Sequence, residues 1–276
     1  MIHFVKMHGI GNDFVLLDGV RENLEGLSFA NLAQAMCDRR RGVGADGVLL
    51  AERAADGNFR MRMWNPDGSE SEMCGNGIRC FAKYLLDEGI ASSRKMHVET
   101  GAGLLEPEVL RDGRIRVDMG SPGLTRAKVG VAGEPDSDFV EQPLTIHGVE
   151  LRGTAVSMGN PHLVTFVEDV SAVPLEEWGS AIENHPLFPN RINAHFVQVR
   201  SRSHLVQRTW ERGAGATLAC GTGACASAVA GRLTNRTDEE VTVTLPGGDL
   251  VIECELGRSV FMTGPAEAVF AGEWPD

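Results

Sequence analysis

The sequence predicts a mixed α/β (α+β) chain built from two copies of one design. Three observations carry this. Short strands with alternating apolar residues are interrupted by helices whose apolar residues recur every three or four positions, and glycine turns punctuate both. The chain is 276 residues long, enough for two domains of ordinary size, and 42% hydrophobic, which suits globular cores. Most telling, one stretch occurs twice: Trp64-Asn-Pro-Asp-Gly-Ser-Glu-Ser-Glu-Met-Cys74-Gly-Asn-Gly and Trp210-Glu-Arg-Gly-Ala-Gly-Ala-Thr-Leu-Ala-Cys220-Gly-Thr-Gly.

Taken in order, His3-Phe-Val-Lys opens a strand that breaks at Met7-His-Gly-Ile-Gly-Asn12-Asp, and Phe14-Val-Leu-Leu resumes it. Residues 28–40 carry helical spacing (Phe29, Leu32, Ala33, Met36), and Gly42-Val-Gly-Ala-Asp46-Gly turns into the strand at Val48-Leu-Leu. Phe59-Arg-Met-Arg-Met-Trp64 alternates as a half-buried strand. Asn65-Pro-Asp-Gly is a turn. Behind Cys74, residues Ile78, Phe81, Ala82, Leu85 and Leu86 form one apolar helical stripe that Gly89 ends. Strands at 95–100, 103–110 and 114–119 complete the first half, and the Pro-, Gly- and Asp-rich stretch 121–141 reads as a connection.

The second half repeats the plan. A strand leads to the turn Ser157-Met-Gly-Asn160-Pro-His162, then come strand Leu163–Val167, a helix near Leu175–Asn184, and strands His195–Val199 and Leu205–Trp210. The second C-G-x-G opens a helix of small side chains, which suits a helix enclosed by sheet; strands at 240–245, 249–255 and 259–263 follow. The spacings agree. Asn12 to Cys74 spans 62 positions and Asn160 to Cys220 spans 60; Trp to Cys is ten in both; Cys74 to Gly101 and Cys220 to Gly247 are both 27. Duplicated domains of this kind commonly place their site in the cleft between them.

Composition narrows the function. The net charge of −12 disfavours a nucleic-acid partner, which needs a basic face. No stretch approaches the ~20 apolar residues of a membrane span, and the first residues lack the apolar run of a signal peptide. Six cysteines without an export signal read as reduced thiols of a cytoplasmic protein. Zinc is disfavoured by spacing: Cys74 and Cys80 are six apart, Cys220 and Cys225 five, so neither pair shares a helix face, and no C-x-x-C occurs. No metal and no cofactor is expected. Cys37, Cys80, Cys225 and Cys254 read as small buried hydrophobes.

Cys74 and Cys220 differ from those four. Each stands at the N-terminal mouth of a helix, where orphan N–H groups and the dipole favour negative charge, so each thiol is expected to have a lowered pKa. A matched pair of thiols allows one to remove a proton from carbon while the other returns one to the opposite face. That inverts a stereocentre without a cofactor. The same helix ends offer N–H groups to a carboxylate.

Together, Met7-His-Gly-Ile-Gly-Asn-Asp-Phe, Asn65-Pro-Asp-Gly-Ser-Glu, Cys74-Gly-Asn-Gly-Ile-Arg-Cys, Ser157-Met-Gly-Asn-Pro-His and Glu211-Arg-Gly-Ala-Gly-Ala-Thr-Leu-Ala-Cys-Gly-Thr-Gly-Ala resemble the diaminopimelate epimerase family, end to end. The resemblance implies two pseudo-symmetric domains, each a β-barrel-like sheet around a central helix: residues 1–119 with 265–276 returning to the first, and residues 120–264. It implies a pyridoxal-independent epimerase interconverting LL- and meso-diaminopimelate for bacterial lysine and peptidoglycan precursors, acting as a homodimer. Cys74 matches the proton donor and Cys220 the acceptor for the LL substrate, with His162 and Glu211 assisting. Gly75, Asn76, Gly221 and Thr222 match the donors to the reacting carboxylate. Asn12, Asn65, Asn160, Asn193 and Arg212 match positions that hold the distal end, with Glu211 lining the substrate as well. One departure is Gly47, where many members have Gln, so a side-chain contact is lost there.

The alternative within the same fold is a proline or hydroxyproline racemase; Arg212 with the ring of Asn residues suits a longer substrate carrying a second carboxylate and amine. A phosphate-binding module would need G-x-G-x-x-G after a strand or a Lys-Ser/Thr ending, and neither is present. A thiol redox protein is disfavoured by the missing C-x-x-C.

Overall fold

The computed structural model describes residues 1–275. The chain divides into two compact units, one formed by Met1–Val117 with the chain from Gly264 on, the other by Asp118–Thr263. The first runs β1 (Ile2–Gly9), β2 (Asn12–Asp18), α1 (Phe29–Cys37), β3 (Gly47–Arg53), β4 (Phe59–Trp64), β5 (Glu70–Ser71), α2 (Gly75–Asp87), β6 (Val98–Thr100) and β7 (Gly103–Leu105), closing with the hairpin β8 (Glu108–Val109) and β9 (Ile115–Asp118). The connection expected at 121–141 contains one helical turn, α3 (Arg126–Val129), capped by the Thr125 side chain and ended by Gly130 at φ 83°. The second unit continues with β10 (Gln142–Ile146), β11 (Val149–Ser157), β12 (Pro161–Phe166), α4 (Leu175–Glu183), β13 (Asn193–Ser201), β14 (His204–Glu211) and β15 (Gly215–Thr217). It ends with α5 (Gly221–Leu233), β16 (Glu240–Leu245), β17 (Gly248–Cys254) and β18 (Val260–Gly264). The last strand, β19 (Glu267–Trp274), pairs antiparallel with β1 and so belongs to the first unit.

The duplication is explicit in the topology. The first sheet runs β19-β1-β2-β3-β4-β6-β7, and the second runs β10-β11-β12-β13-β14-β16-β17 before β18. In both, the second and third strands of the repeat pair in parallel (β2–β3, β12–β13), the next pair is antiparallel (β3–β4, β13–β14), and a parallel pair follows (β4–β6, β14–β16).

Each sheet wraps a helix. Helix α2 packs on β1, β2, β3, β8 and β19 and buries Ile78, Phe81 and Leu85 completely. Each such side chain contributes roughly 1.5–3 kcal/mol relative to exposure. Helix α5 packs on β11, β12, β13, β16 and β17, and its residues are buried from Gly223 through Gly231. A helix covered all round needs small side chains. A Cβ at Gly231 would lie 2.7 Å from Thr237 Oγ1, so the loop that follows the helix leaves room for nothing larger there. Cys37, Cys80, Cys225 and Cys254 form no disulfide and are buried, and burial pushes Cys37 and Cys254 up to about 11.

Candidate active site

Both expected cysteines stand at helix mouths. Cys74 has extended backbone and caps α2; its sulfur accepts the Gly77 N–H at 3.4 Å and its thiol donates to Asn12 Oδ1 at 3.7 Å. Asn12 is itself fixed. Its Nδ2 donates to Asp46 Oδ2 at 2.7 Å, so its Oδ1 faces Cys74 and accepts from Asn76 Nδ2 at 3.0 Å. Behind it lies an ionic cluster: Arg39 bridges Asp13 and Asp46 at 2.7 Å each, and Lys6 meets Asp13 at 2.6 Å. Burial acts to raise the Asp13 carboxyl, but the bonds from Arg39 and Lys6 outweigh it and hold it at about 2.

Asn76 Oδ1 accepts from Arg79 Nη2 at 2.8 Å, and fully buried Arg79 also reaches Gly75 O and Pro265 O. Asp46 and Arg79 were not among the expected site residues. Asn65 spends its side chain on its own turn, donating to Ser69 Oγ at 3.0 Å. A Cβ at Gly47 would lie 2.9 Å from the Trp64 carbonyl oxygen, so a side chain there requires the strand backbone to shift.

Cys220 caps α5, is 4% exposed, and lies 3.8 Å from Thr222 Oγ1. The expected lowering of its pKa is wrong. Burial pushes the thiol well above its ordinary value and the Glu211 charge adds to this, while the Gly223 N–H and Thr222 hydroxyl pull weakly the other way. Desolvation outweighs the half-charge of a helix end. Cys220 therefore rests as a thiol beside Glu211, whose Oε1 accepts from Thr217 Oγ1 at 2.6 Å.

His162 is fully buried between two partners: Nε2 meets Asn160 Oδ1 at 2.8 Å and Nδ1 meets His195 Nε2 at 2.8 Å. Burial pushes both imidazoles down, His195 to about 3, and the neighbouring His195 and Arg212 lower His162 further. His195, Thr209 and Gln207 were not expected. The coordinating atoms of His162, His195 and Cys220 lie within 4.8 Å of one another, a grouping that also raises a metal. Two imidazole nitrogens on one tetrahedral zinc at ~2.0–2.1 Å would stand about 3.3 Å apart. The observed 2.8 Å is a hydrogen-bond length, so the pair is closed by a proton.

Asn193 is 4% exposed and uses both ends of its amide: Nδ2 donates to Pro161 O at 2.8 Å and Oδ1 accepts the Arg212 N–H at 2.9 Å. The exposed Arg212 side chain donates to Asn190 O at 3.0 Å. Gly75 and Gly221 open the first turns of α2 and α5, followed by Asn76 and Thr222, where helix N–H groups point outward. A cavity of about 510 Å³ lined by His3, Asp18, Arg21, Tyr84, Glu88 and Glu273 lies at the C-terminal end of α2, away from this chemistry.

The family model for diaminopimelate epimerase matches residues 4–125 and 154–269, one segment in each half. The chain is 51% identical to the diaminopimelate epimerase of Moorella thermoacetica and 51% identical to that of Pelotomaculum thermopropionicum, with 99% of both chains covered in each comparison. Among solved structures it is similar to a Bacillus anthracis phenazine biosynthesis protein of the PhzF family, at TM-score 0.73 and 16% identity over 100% of this chain and 99% of that one. A hydroxyproline epimerase from Agrobacterium vitis follows at TM-score 0.71 and 15% identity, covering 98% and 91%. At such identities the likeness speaks for the fold alone. With half its residues shared over the whole length of its relatives, the chain belongs to the diaminopimelate epimerase family.

Proposed function

We propose that this protein is a cofactor-independent isomerase that interconverts LL- and meso-diaminopimelate by two-base proton transfer. The observation that carries it is the pair of helix-capping cysteines at equivalent positions of a duplicated chain, in a sequence half identical to diaminopimelate epimerases. For the LL substrate, Cys220 removes the α-proton and Cys74 supplies one to the opposite face. Resting Cys220 is protonated, so Glu211 is the group that takes its proton as it is engaged. His162, a neutral imidazole, assists the transfer. Helix N–H groups at Gly75, Asn76, Gly221 and Thr222 stabilise charge on the reacting carboxylate. Asn12, Asn65, Asn160, Asn193, Glu211 and Arg212 bind the rest of the substrate. Asn12 and Asn193 also serve as fixed struts of the site.

The 51% identity to diaminopimelate epimerases favours this substrate over proline-type ones, whose enzymes are similar at 15%. We also infer a cytoplasmic homodimer. Its support is β19, an edge strand with Val269 56% and Phe270 48% exposed, a surface suited to a second copy.

The test is incubation of the purified protein with LL-diaminopimelate in deuterated water. Deuterium at the inverted carbon is expected, with Cys74→Ala and Cys220→Ala each slower by ~10²–10⁴-fold. Product without deuterium would sink the two-base scheme, and no conversion would sink the substrate.

A further inference from the structure

The two halves match residue by residue, and at four buried positions they differ in kind. An offset of 146 carries Trp64 to Trp210, Cys74 to Cys220 and Gly77 to Gly223. Strand register agrees: Leu49 faces Met63 in the first half, and His195 faces Thr209 in the second. Phe14 faces Gly47, as His162 faces Asn193. The space next to the helix mouth agrees too. A Cβ at Gly77 would first meet Leu49, and a Cβ at Gly223 would first meet His195. Hence Phe14, Leu49, Met61 and Met63 correspond to His162, His195, Gln207 and Thr209. All eight are buried.

The first half demonstrates that this fold fills the site with apolar side chains alone. A buried polar set seldom improves on such packing and is costly where incomplete, and Gln207 Oε1 indeed has no partner among the described residues. Folding therefore does not require the polar set. Its hydrogen bonds run one way. Gln207 Nε2, which can only donate, lies 2.9 Å from Thr209 Oγ1 and 3.2 Å from His195 Nδ1, so Nδ1 accepts, from Gln207 and from the Thr209 hydroxyl at 3.0 Å; His195 Nε2 then carries the proton and donates to His162 Nδ1 at 2.8 Å. The last link is His162 Nε2 donating to Asn160 Oδ1 at 2.8 Å. Each link leaves the next nitrogen one role.

We propose that His195, backed by Thr209 and Gln207, is a positioning residue that holds His162 as its neutral Nε2–H tautomer, directed at Asn160. The inference rests on the reading of His162 as a group that assists proton transfer. Without the His195 donor only the Asn160 amide holds the tautomer, and that amide can turn its nitrogen toward the ring, so the proton of His162 can move to Nδ1 and the ring loses the N–H it presents to the site.

The test grafts the first-half residue into the second half. His195→Leu removes the donor, and His195→Gln keeps an N–H near the place of Nε2. The readouts are the tautomer of His162, from long-range proton–nitrogen correlation spectra of its ring, and kcat and KM for diaminopimelate. In the unmodified protein the His162 proton is expected on Nε2. In His195→Leu it should be shared between both nitrogens, with kcat lower by roughly 10–100-fold, the loss known for orienting partners of metal-bound imidazoles, and KM little changed. His195→Gln should recover most of both. Thr209→Val, which removes one of the two donors to His195 Nδ1 and leaves Gln207 Nε2 at 3.2 Å, should give a smaller shift in the same direction. A His162 proton on Nδ1 in the unmodified protein would overturn the proposal, as would full kcat in His195→Leu. The spectra decide the tautomer even if the protein acts on another substrate, so the two readings fail separately.

Discussion

Arg212 is tied to Asn193 by its backbone: its N–H donates to Asn193 Oδ1 at 2.9 Å, while the same amide donates to Pro161 O at 2.8 Å. One buried side chain thus joins the end of β14 to the turn that carries Asn160 and His162. Asn193→Ala leaves a donor and an acceptor unpaired, which costs about 1–3 kcal/mol. Stability by denaturant titration should fall by that amount, and KM for diaminopimelate should rise more than kcat falls. Asn193→Asp keeps the acceptor for Arg212 and should lie between. Equal stability of all three forms would mean that the two Asn193 bonds contribute nothing to the fold.

Asp46 plays the corresponding part in the first half by fixing the Asn12 amide. In Asp46→Ala the amide is free to turn its nitrogen toward Cys74. One charge-assisted bond corresponds to roughly tenfold in rate or more, so kcat should drop by about that factor. Stability should change little, because the partner Arg39 is 58% exposed and retains Asp13. A loss of stability with unchanged kcat would reduce Asp46 to a fold residue.

The equivalent glycines Gly77 and Gly223 should respond differently to alanine. At Gly223 the new Cβ would sit 2.3 Å from His195 Cε1, with both ring nitrogens at 2.9 Å, so the ring must leave its hydrogen bonds. Overpacking of that kind costs about 1–3 kcal/mol. At Gly77 the nearest atom is Leu49 Cδ2 at 3.2 Å, the end of a flexible chain. There the helix gain of alanine over glycine, roughly 0.5–1 kcal/mol, offsets the crowding. Thermal melts of Gly77→Ala near the unmodified value and of Gly223→Ala well below it are expected; the reverse order would contradict the assigned contacts.

Much of this was legible in the sequence for physical reasons. The Trp-to-Cys spacing exposes the repeat because each copy must rebuild the same strand, turn and helix mouth. The stripe Ile78, Phe81, Leu85 reads directly as the buried face of α2. Strand β19 was not legible: most of its residues are exposed, so no alternation marks it. The two cysteines were found because capping is local. The Cys220 pKa was misjudged because burial is set by strands far away in sequence. His195 was missed because, in Asn-Ala-His-Phe-Val-Gln-Val, it is one polar residue in a strand. Only the parallel pairing of β12 with β13 brings it to His162.

The buried imidazoles also set an acid limit to stability. His195 has an ordinary pKa of 6.5 and is pushed down to about 3 by burial, and His162 moves the same way. The unfolded chain therefore binds protons in this range that the native state refuses, and unfolding gains them. For a base whose folded pKa is depressed, stability is complete above pH 6.5 and declines as pH falls toward 3. Asp13, held at about 2, acts in the same direction at still lower pH. The variant His195→Leu removes one such group, so its stability should fall less steeply with acid. Its stability relative to the unmodified protein should rise by roughly 3 kcal/mol between about pH 7 and pH 4. Chemical denaturation at several pH values measures this. Parallel curves for the two proteins would mean that His195 titrates normally, and the neutral hydrogen-bonded chain through His162 would then have to be abandoned.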